Sequence, residues 1–326
     1  MKKGLKTVVI TGPTATGKTA LAVKLASKSG GEIISVDSRQ VYRGMDIGTG
    51  KDLEEYAHDG KPVPYHLIDM VDPEAEYNLM EFCRDAWTAI RDIADRNKLP
   101  VLCGGTPMYL NAILSEYELP GGPPDSALRK SLEEKTLEEL LEILKKNDKK
   151  AYNEFKDRDN RYRLLRAIEK AAVITNALDE SSFRELDPLV IGVYFPRQEV
   201  HRRIEERLDR RLKNGMIEEV EQLHQRGVSW ERLEFFGLEY RFIALHLQGI
   251  LDYETMRNQL LYRIRQFAKR QDIWFRTLER EGRTIYWIDQ QKGPDPFKLV
   301  EDFLAERPLP RPEISLKDIF YGPKTS

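Results

Sequence analysis

The sequence predicts an α/β fold: a mostly parallel sheet core with a helical insertion and a helical C-terminal part. Three observations predict it. Short β-branched runs alternate with stretches of helical spacing through the first third of the chain, the order that βαβ units produce. The breaker cluster Leu119-Pro120-Gly121-Gly122-Pro123-Pro124 then opens a charged stretch, to about Asp187, with helical patterns and no strand pattern. A further β-branched run, Leu189 to Phe195, returns the chain to sheet before a long, strongly charged helical region.

The elements follow in order. Lys6 to Thr11 (KTVVIT) reads as a strand, Gly12 to Thr19 (GPTATGKT) as a loop, and Ala20 to Ser29 as a helix stopped by Gly30-Gly31. Glu32 to Val36 (EIISV) is a second strand that ends at Asp37, and His66 to Met70 a third. Leu79 to Asn97 has apolar residues at helical spacing. Leu99 to Cys103 reads as a buried strand, followed by Gly104-Gly105-Thr106. Pro196 to about Glu281 is helical with a break near Gly227, and Thr284 to Ile288 is a last strand. The tail from Arg307 is Pro-rich and is expected to pack poorly. The expected organisation is a core over residues 1–118, an insertion over 119–187, the second part of the core over 188–295 and a poorly ordered tail over 296–326.

Composition limits the function classes. The chain has 326 residues, 52 basic and 54 acidic, with 40% hydrophobic residues, so a core of more than one domain can be buried and a uniformly basic nucleic-acid binder is excluded. No run approaches the ~18 apolar residues of a membrane helix. MKKGLKTVVI leads directly into a motif, which leaves no room for a secretory signal. Two cysteines, Cys83 and Cys103, cannot organise a disulfide framework or a cysteine zinc site, and a cytoplasmic setting is expected. The five histidines lack ligand spacing.

Gly12-Pro13-Thr14-Ala15-Thr16-Gly17-Lys18-Thr19 matches G-x-x-x-x-G-K-[ST] between a strand and a helix, the P-loop NTPase-like signature. Loop N–H groups and the helix N-terminus attract phosphate oxygens, Lys18 adds a charge, and the Thr19 hydroxyl can sit on Mg²⁺. Asp37 ends the second strand, at the sheet edge where open α/β sheets bind ligands. It can hold a metal, take a proton or cap the next turn. Thr106 follows two glycines that permit close backbone approach, or it caps the helix that Pro107 opens. Arg197 follows the strand at Leu189 to Phe195. Together these bring a diphosphate cradle, a base candidate, a hydroxyl and a second cation to one edge, a set suited to transfer chemistry with a diphosphate leaving group or a phosphoryl donor. Two segments suit RNA. Arg129 to Lys170 has 13 basic and 10 acidic residues. Arg257 to Arg283 has 8 basic and 3 acidic residues, interleaved with Tyr262, Phe267, Trp274 and Phe275. The competing reading is a solvated face whose aromatics serve the core.

The chain resembles the tRNA dimethylallyltransferase (isopentenyltransferase) family. The likeness lies in the P-loop, Asp37-Ser38-Arg39-Gln40-Val41-Tyr42-Arg43-Gly44-Met45-Asp46-Ile47-Gly48-Thr49, His66-Leu67-Ile68-Asp69, Gly104-Gly105-Thr106-Pro107-Met108-Tyr109-Leu110, Asn160 to Glu169, Arg265 to Gln271 and Trp274-Phe275-Arg276. The resemblance implies transfer of a dimethylallyl group from dimethylallyl diphosphate to N6 of adenosine 37 of tRNA, with Mg²⁺. The P-loop, Gly12 to Thr19, would hold diphosphate, Asp37 would be the general base, Thr106 would orient it or the amine, and Arg197 would neutralise the leaving group. Asp37, Ser38, Arg39, Gln40, Thr106, Arg129, Tyr162, Arg163, Leu164, Leu165, Arg166, Arg265, Gln266, Lys269, Arg270 and Gln271 would touch the tRNA anticodon stem-loop. A monomer with no membrane attachment is implied. Three places depart from the family pattern: Phe236-Gly237-Leu238-Glu239-Tyr240 for Ile-Gly-Tyr-Lys-Glu, Thr175-Asn176 for Thr-Gly, and Ile264 for Thr. These are expected to fall on the RNA-facing side. Prenylation of free adenine nucleotides, a small-molecule kinase and a non-catalytic RNA binder are the competing functions.

Overall fold

A computed structural model describes residues 4–114, 125–172, 186–289 and 293–319. Its strands are β1 (Leu5–Thr11), β2 (Glu32–Ser35), β3 (Ala57–His58), β4 (Lys61–Pro62), β5 (Tyr65–His66), β6 (Pro100–Cys103), β7 (Leu186–Val193) and β8 (Tyr286–Ile288). Its helices are α1 (Lys18–Ser29), α2 (Leu79–Asp95), α3 (Pro107–Leu114), α4 (Ser126–Ser131), α5 (Leu137–Asn147), α6 (Lys149–Glu154), α7 (Arg161–Ala172), α8 (Arg197–Lys213), α9 (Met216–Gln225), α10 (Trp230–Phe235), α11 (Leu238–Leu247), α12 (Tyr253–Arg280) and α13 (Pro296–Leu304).

Six strands form one sheet in the order β5-β2-β6-β1-β7-β8, every pair parallel. β1 is central, with Val8 opposite both Val101 and Leu189. The strand period of two divides the apolar residues between two cores. Val8, Ile10, Ile33, Val101, Leu189 and Ile191 face one, which α1 and α13 cover. Val9, Ile34, Leu102 and Val190 face the other, which α2 and α3 cover. Both faces are thus buried, which is why these strands read as continuous apolar runs. α12 serves both cores, through Met256, Leu260 and Ile264 on one and Phe275 and Leu278 on the other.

The insertion has a core of its own, built from Leu132 at the C-terminal cap of α4, Leu140 and Leu144 on α5, and Leu164 and Ile168 on α7. Asn78 opens α2 with a capping box to Glu81, and Thr136 opens α5 with one to Glu139.

The structure corrects one expectation, bears out a second and corrects a third in part. The third strand stops at His66 rather than Met70, because Leu67 and Asp69 adopt positive φ of 63° and 54°. The region from Pro196 to Glu281 is helical with a break at Gly227, as expected, and it divides into five helices, α8 to α12. The tail is packed in two places, where α13 buries Leu299, Val300 and Phe303 and a 3-10 turn at Leu316–Asp318 buries Leu316, while most of residues 305–313 are exposed as expected. Glu279 anchors that turn by accepting from Ser315 Oγ (3.1 Å) and Lys317 N (2.8 Å).

Candidate active site

The C-terminal ends of β1, β2 and β6 meet at the phosphate loop, Asp37 and the Gly104-Gly105-Thr106 turn. Their close approach requires glycine. A Cβ on Gly104 would lie 2.2 Å from the Val36 carbonyl oxygen, and one on Gly12, whose φ is +144°, would lie 2.6 Å from that of Val193. Gly104 therefore lets the ends of β2 and β6 close on each other.

Lys18 opens α1 and donates to the Pro13 carbonyl at 2.8 Å. Its pKa is lowered to about 8, chiefly by burial and in part by Arg207, against the opposing pull of Cys103 and Asp37. Asp37 is therefore near enough to act on the Lys18 charge. Its Oδ1 accepts from Arg39 N at 2.8 Å and Gln40 N at 3.4 Å, so Asp37 does cap the next turn. Its Oδ2 has no hydrogen bond among the described residues. Thr106 starts α3 through its carbonyl, which accepts from Tyr109 N and Leu110 N at 3.1 Å. Its hydroxyl makes no capping bond among the described residues, which leaves it for the site. Cys103 is buried, its thiol pushed up to about 11 by desolvation, so it is no nucleophile at neutral pH.

Facing the phosphate loop across a cleft of about 470 Å³ is one side of α8, with Arg202, Arg203, Arg207, Arg210 and Arg211. Arg207 donates from Nη2 to Thr14 Oγ1 at 2.6 Å, and burial lowers its pKa to about 10. The expected leaving-group cation, Arg197, is not among the cleft residues. It is exposed and lines a separate, mainly apolar cavity of about 230 Å³ with Pro13, Phe195, His201 and Trp287. The arginine that bonds the phosphate loop is Arg207, on α8. Arg203, Arg207 and Arg211 stand four residues apart on one row of the helix, a signal for the row but not for which of them bonds the loop.

Among the described residues no group of three or more His, Cys, Asp or Glu side chains could hold a metal ion. Thr19 does line the cleft, where its hydroxyl lies beside Cys103. This donor set fits Mg²⁺ carried mainly by substrate phosphates and water, and not an all-protein cage.

These features fit the comparisons with known proteins. The profile of the family described as IPP transferase matches residues 40–278, and that described as isopentenyl transferase matches residues 5–61. The chain belongs to the IPP transferase family. It is 47% identical over 304 residues to tRNA dimethylallyltransferase 1 of Geotalea uraniireducens, covering 93% of this chain and 98% of that protein. With tRNA dimethylallyltransferase 1 of Syntrophus aciditrophicus it shares 49% over 86% and 93% of the two chains. Among solved structures it is similar to the full-length tRNA isopentenylpyrophosphate transferase of Bacillus halodurans (TM-score 0.65, 32% identity, 93% and 96% covered). It is also similar to a eukaryotic dimethylallyltransferase acting on tRNA (TM-score 0.76, 25% identity, 93% and 80% covered).

The residues expected to meet RNA in this IPP transferase family member divide into groups. On the insertion, Arg129 and Arg166 both bind the carboxylate of buried Glu169, at 2.5 and 2.9 Å, and Arg129 lies 4.9 Å from the Tyr162 ring centroid. Tyr162 and Arg163 are exposed, and Arg163 pairs with Asp157 at 2.6 Å. Leu164, by contrast, is 0% exposed in the insertion core, and Leu165 packs partly buried against that core. Gln40 is likewise used internally, accepting from Ser35 Oγ at 2.7 Å and donating to Gly50 O at 3.0 Å. Ser38 and Arg39 are half-buried on the Asp37 turn, and Arg39 lies 5.6 Å from the Phe236 ring centroid. Arg265 bonds Glu205 on α8 at 2.7 Å, and Gln266 accepts from Arg263 at 3.1 Å. Lys269 and Arg270 are exposed, whereas Gln271 is buried.

The family departures are also relocated. Ile264 is a core residue, and Phe236 packs edge-on to Tyr42 at 4.8 Å. Glu239 belongs to the phosphate side: burial raises its pKa, and its charge interacts with Arg211, Arg207 and Asp37. Asn176 lies outside the described residues.

Proposed function

We propose that this protein transfers the dimethylallyl group of dimethylallyl diphosphate to N6 of adenosine 37 in the tRNA anticodon stem-loop, acting as a cytoplasmic monomer. The observation that carries the proposal is one sheet edge where Lys18 and Arg207 face the phosphate loop while Asp37 acts on the same lysine. The tRNA named in the relatives' descriptions fits the insertion with its own core and the exposed Lys269 and Arg270.

Cleavage of the allylic C–O bond places growing negative charge on diphosphate. Lys18, Arg207 and the cleft arginines offer preorganised positive charge there, the most effective form of transition-state stabilisation. Mg²⁺, held by Thr19 and the phosphates, would add further charge neutralisation. The adenine amine is a weak nucleophile because its lone pair is delocalised into the ring. Oδ2 of Asp37 takes the N6 proton as the new C–N bond forms, and the Thr106 hydroxyl orients the amine. Extruding the base costs a few kcal/mol, least from a single-stranded loop.

The test is incubation with unmodified tRNA and labelled dimethylallyl diphosphate, with AMP as competitor. Label in the RNA that excess AMP does not displace is the expected result. Label in AMP alone, or in neither acceptor, overturns the proposal.

A further inference from the structure

On α12, Lys269 and Arg270 face solvent and the next residue, Gln271, is 2% exposed. Its Nε2 donates to the Gly105 carbonyl at 2.6 Å, and its Oε1 accepts from Thr14 N at 2.9 Å. One neutral amide thus joins the loops after two neighbouring strands, β1 and β6: the phosphate loop and the loop that bears Thr106. Space for it depends on glycine, since a Cβ on Gly105 would lie 2.6 Å from Gln271 Nε2 and 3.0 Å from the Gly12 carbonyl oxygen. Thr14 is held on its other side by Arg207, whose Nη2 donates to its hydroxyl. The Thr14 N–H is therefore committed to Gln271 and not offered to phosphate. The site requires one donor and one acceptor on an uncharged group of this length. A carboxylate would lose the donor and set negative charge beside the phosphate loop.

We propose that Gln271 is a positioning residue, not an RNA contact: it fixes the phosphate loop against the Thr106 loop and ties that spacing to α12. The inference rests on the diphosphate-transfer reading above. In that reading the leaving oxygen is held by one loop and the attacking amine by the other, with the allylic carbon between them. A misplacement of ~1 Å in such an arrangement costs about 10²-fold in rate. Because Lys269 and Arg270 share the same helical turn, RNA seated on α12 bears on the turn that spaces the two loops.

The experiment compares Gln271→Met, Gln271→Glu and Gly105→Ala with the parent. It measures pyrophosphate affinity by calorimetry without RNA, tRNA affinity by filter binding, and the single-turnover rate of prenyl transfer. Gln271→Met is expected to keep tRNA affinity within about twofold while the rate falls about 10–100-fold. Pyrophosphate binding weakens with it, and further in Gln271→Glu because of the added charge. Gly105→Ala, which presses on the same amide, should reproduce the Gln271→Met pattern, and the double variant should be no worse than either single. Gln271→Glu is nearly isosteric and serves alone if Gln271→Met does not fold. Loss of tRNA affinity with an unchanged rate would make Gln271 a direct RNA contact and overturn the proposal. Unchanged rate and pyrophosphate affinity would do the same. The pyrophosphate arm needs neither RNA nor prenyl chemistry, so it separates failure of this inference from failure of the assigned reaction.

Discussion

Lys18 shows at the level of one residue how the site stores binding capacity. Burial lowers its pKa to about 8, below the ordinary 10.5 of an unfolded chain. A lysine shifted in this direction opposes folding while both states are charged. The penalty is full below pH 8 and disappears as the pH rises from 8 towards 10.5. Lys18→Met is therefore expected to stabilise the ligand-free protein at pH 7 by about 1–3 kcal/mol, discounted for partial exposure. Urea unfolding should show that gap closing by about pH 10, and pyrophosphate binding should be lost in the same variant. In the parent, pyrophosphate affinity should fall as the pH passes 8, since the ligand favours the charged lysine. Asp37 calls for a different substitution. Asn keeps an oxygen for Arg39 N and removes the base, so Asp37→Asn should lower the transfer rate by about 10²–10⁴-fold with pyrophosphate affinity retained. An unchanged rate would reduce Asp37 to its turn. Lys18, Asp37 and Thr106 were legible in the sequence because each sits at a fixed offset from a strand end. Arg207 was not, because α8 is crowded with arginines and only packing decides which of them meet the phosphate loop. The family resemblance places Gln271 with the tRNA-touching stretch, and its amide is buried against two backbones.

At the scale of elements, the sequence pattern located strands and helices wherever period and breaker agreed, as in β1, α1 and α2. It missed the loops that side chains hold in place. Lys51 is 0% exposed and donates to the Tyr42 carbonyl at 2.6 Å, to Asp46 at 2.7 Å and to Asp69. It pulls the segment after β2 against the turn after β5, where Asp69 takes its positive φ. Glu219 on α9 secures the same segment by accepting from Asp46, Ile47 and Gly48 N–H and from the Tyr240 hydroxyl. No periodicity announces such ties, because a lone lysine or glutamate reads as surface. Lys51→Met should cost about 2–4 kcal/mol in urea unfolding, because it leaves a buried carbonyl and two carboxylates without their cation. Gly50 and Asp52 border the phosphate cleft, so pyrophosphate affinity should weaken as well. A cost below about 0.5 kcal/mol, the usual range of surface changes, would show that the loop holds its shape without the lysine.

Across the whole molecule the parallel sheet separates chemistry from cohesion. The C-terminal strand ends carry the phosphate loop, Asp37 and Thr106, while Glu32, at the N-terminal end of β2, is held away from them. Glu32 is 3% exposed. It accepts from Arg96 Nη1 at 2.5 Å and Lys98 Nζ at 2.7 Å, and bonds His66 Nε2 at 2.8 Å, joining α2, the start of β6 and the edge strand β5. The Arg96 guanidinium foremost holds its carboxyl far below the ordinary 4.5. For a carboxylate shifted down, the stabilisation is complete above the unfolded pKa and is lost as the pH falls below about 4.5. Glu32→Gln should therefore cost about 3 kcal/mol at pH 7, the size expected for breaking a buried ion pair. The difference from the parent should shrink steadily below pH 4.5. Arg96 and Lys98 can hydrate once released, since both are partly exposed. Because parallel strands place this cluster at the end opposite the phosphate loop, the variant should keep its pyrophosphate affinity and transfer rate at temperatures where it remains folded. Denaturant titrations at pH 7 and pH 3.5, paired with rate measurements, test both parts. A rate loss at pH 7 in fully folded Glu32→Gln would show that the two ends of the sheet are coupled, and the separation argued here would fail.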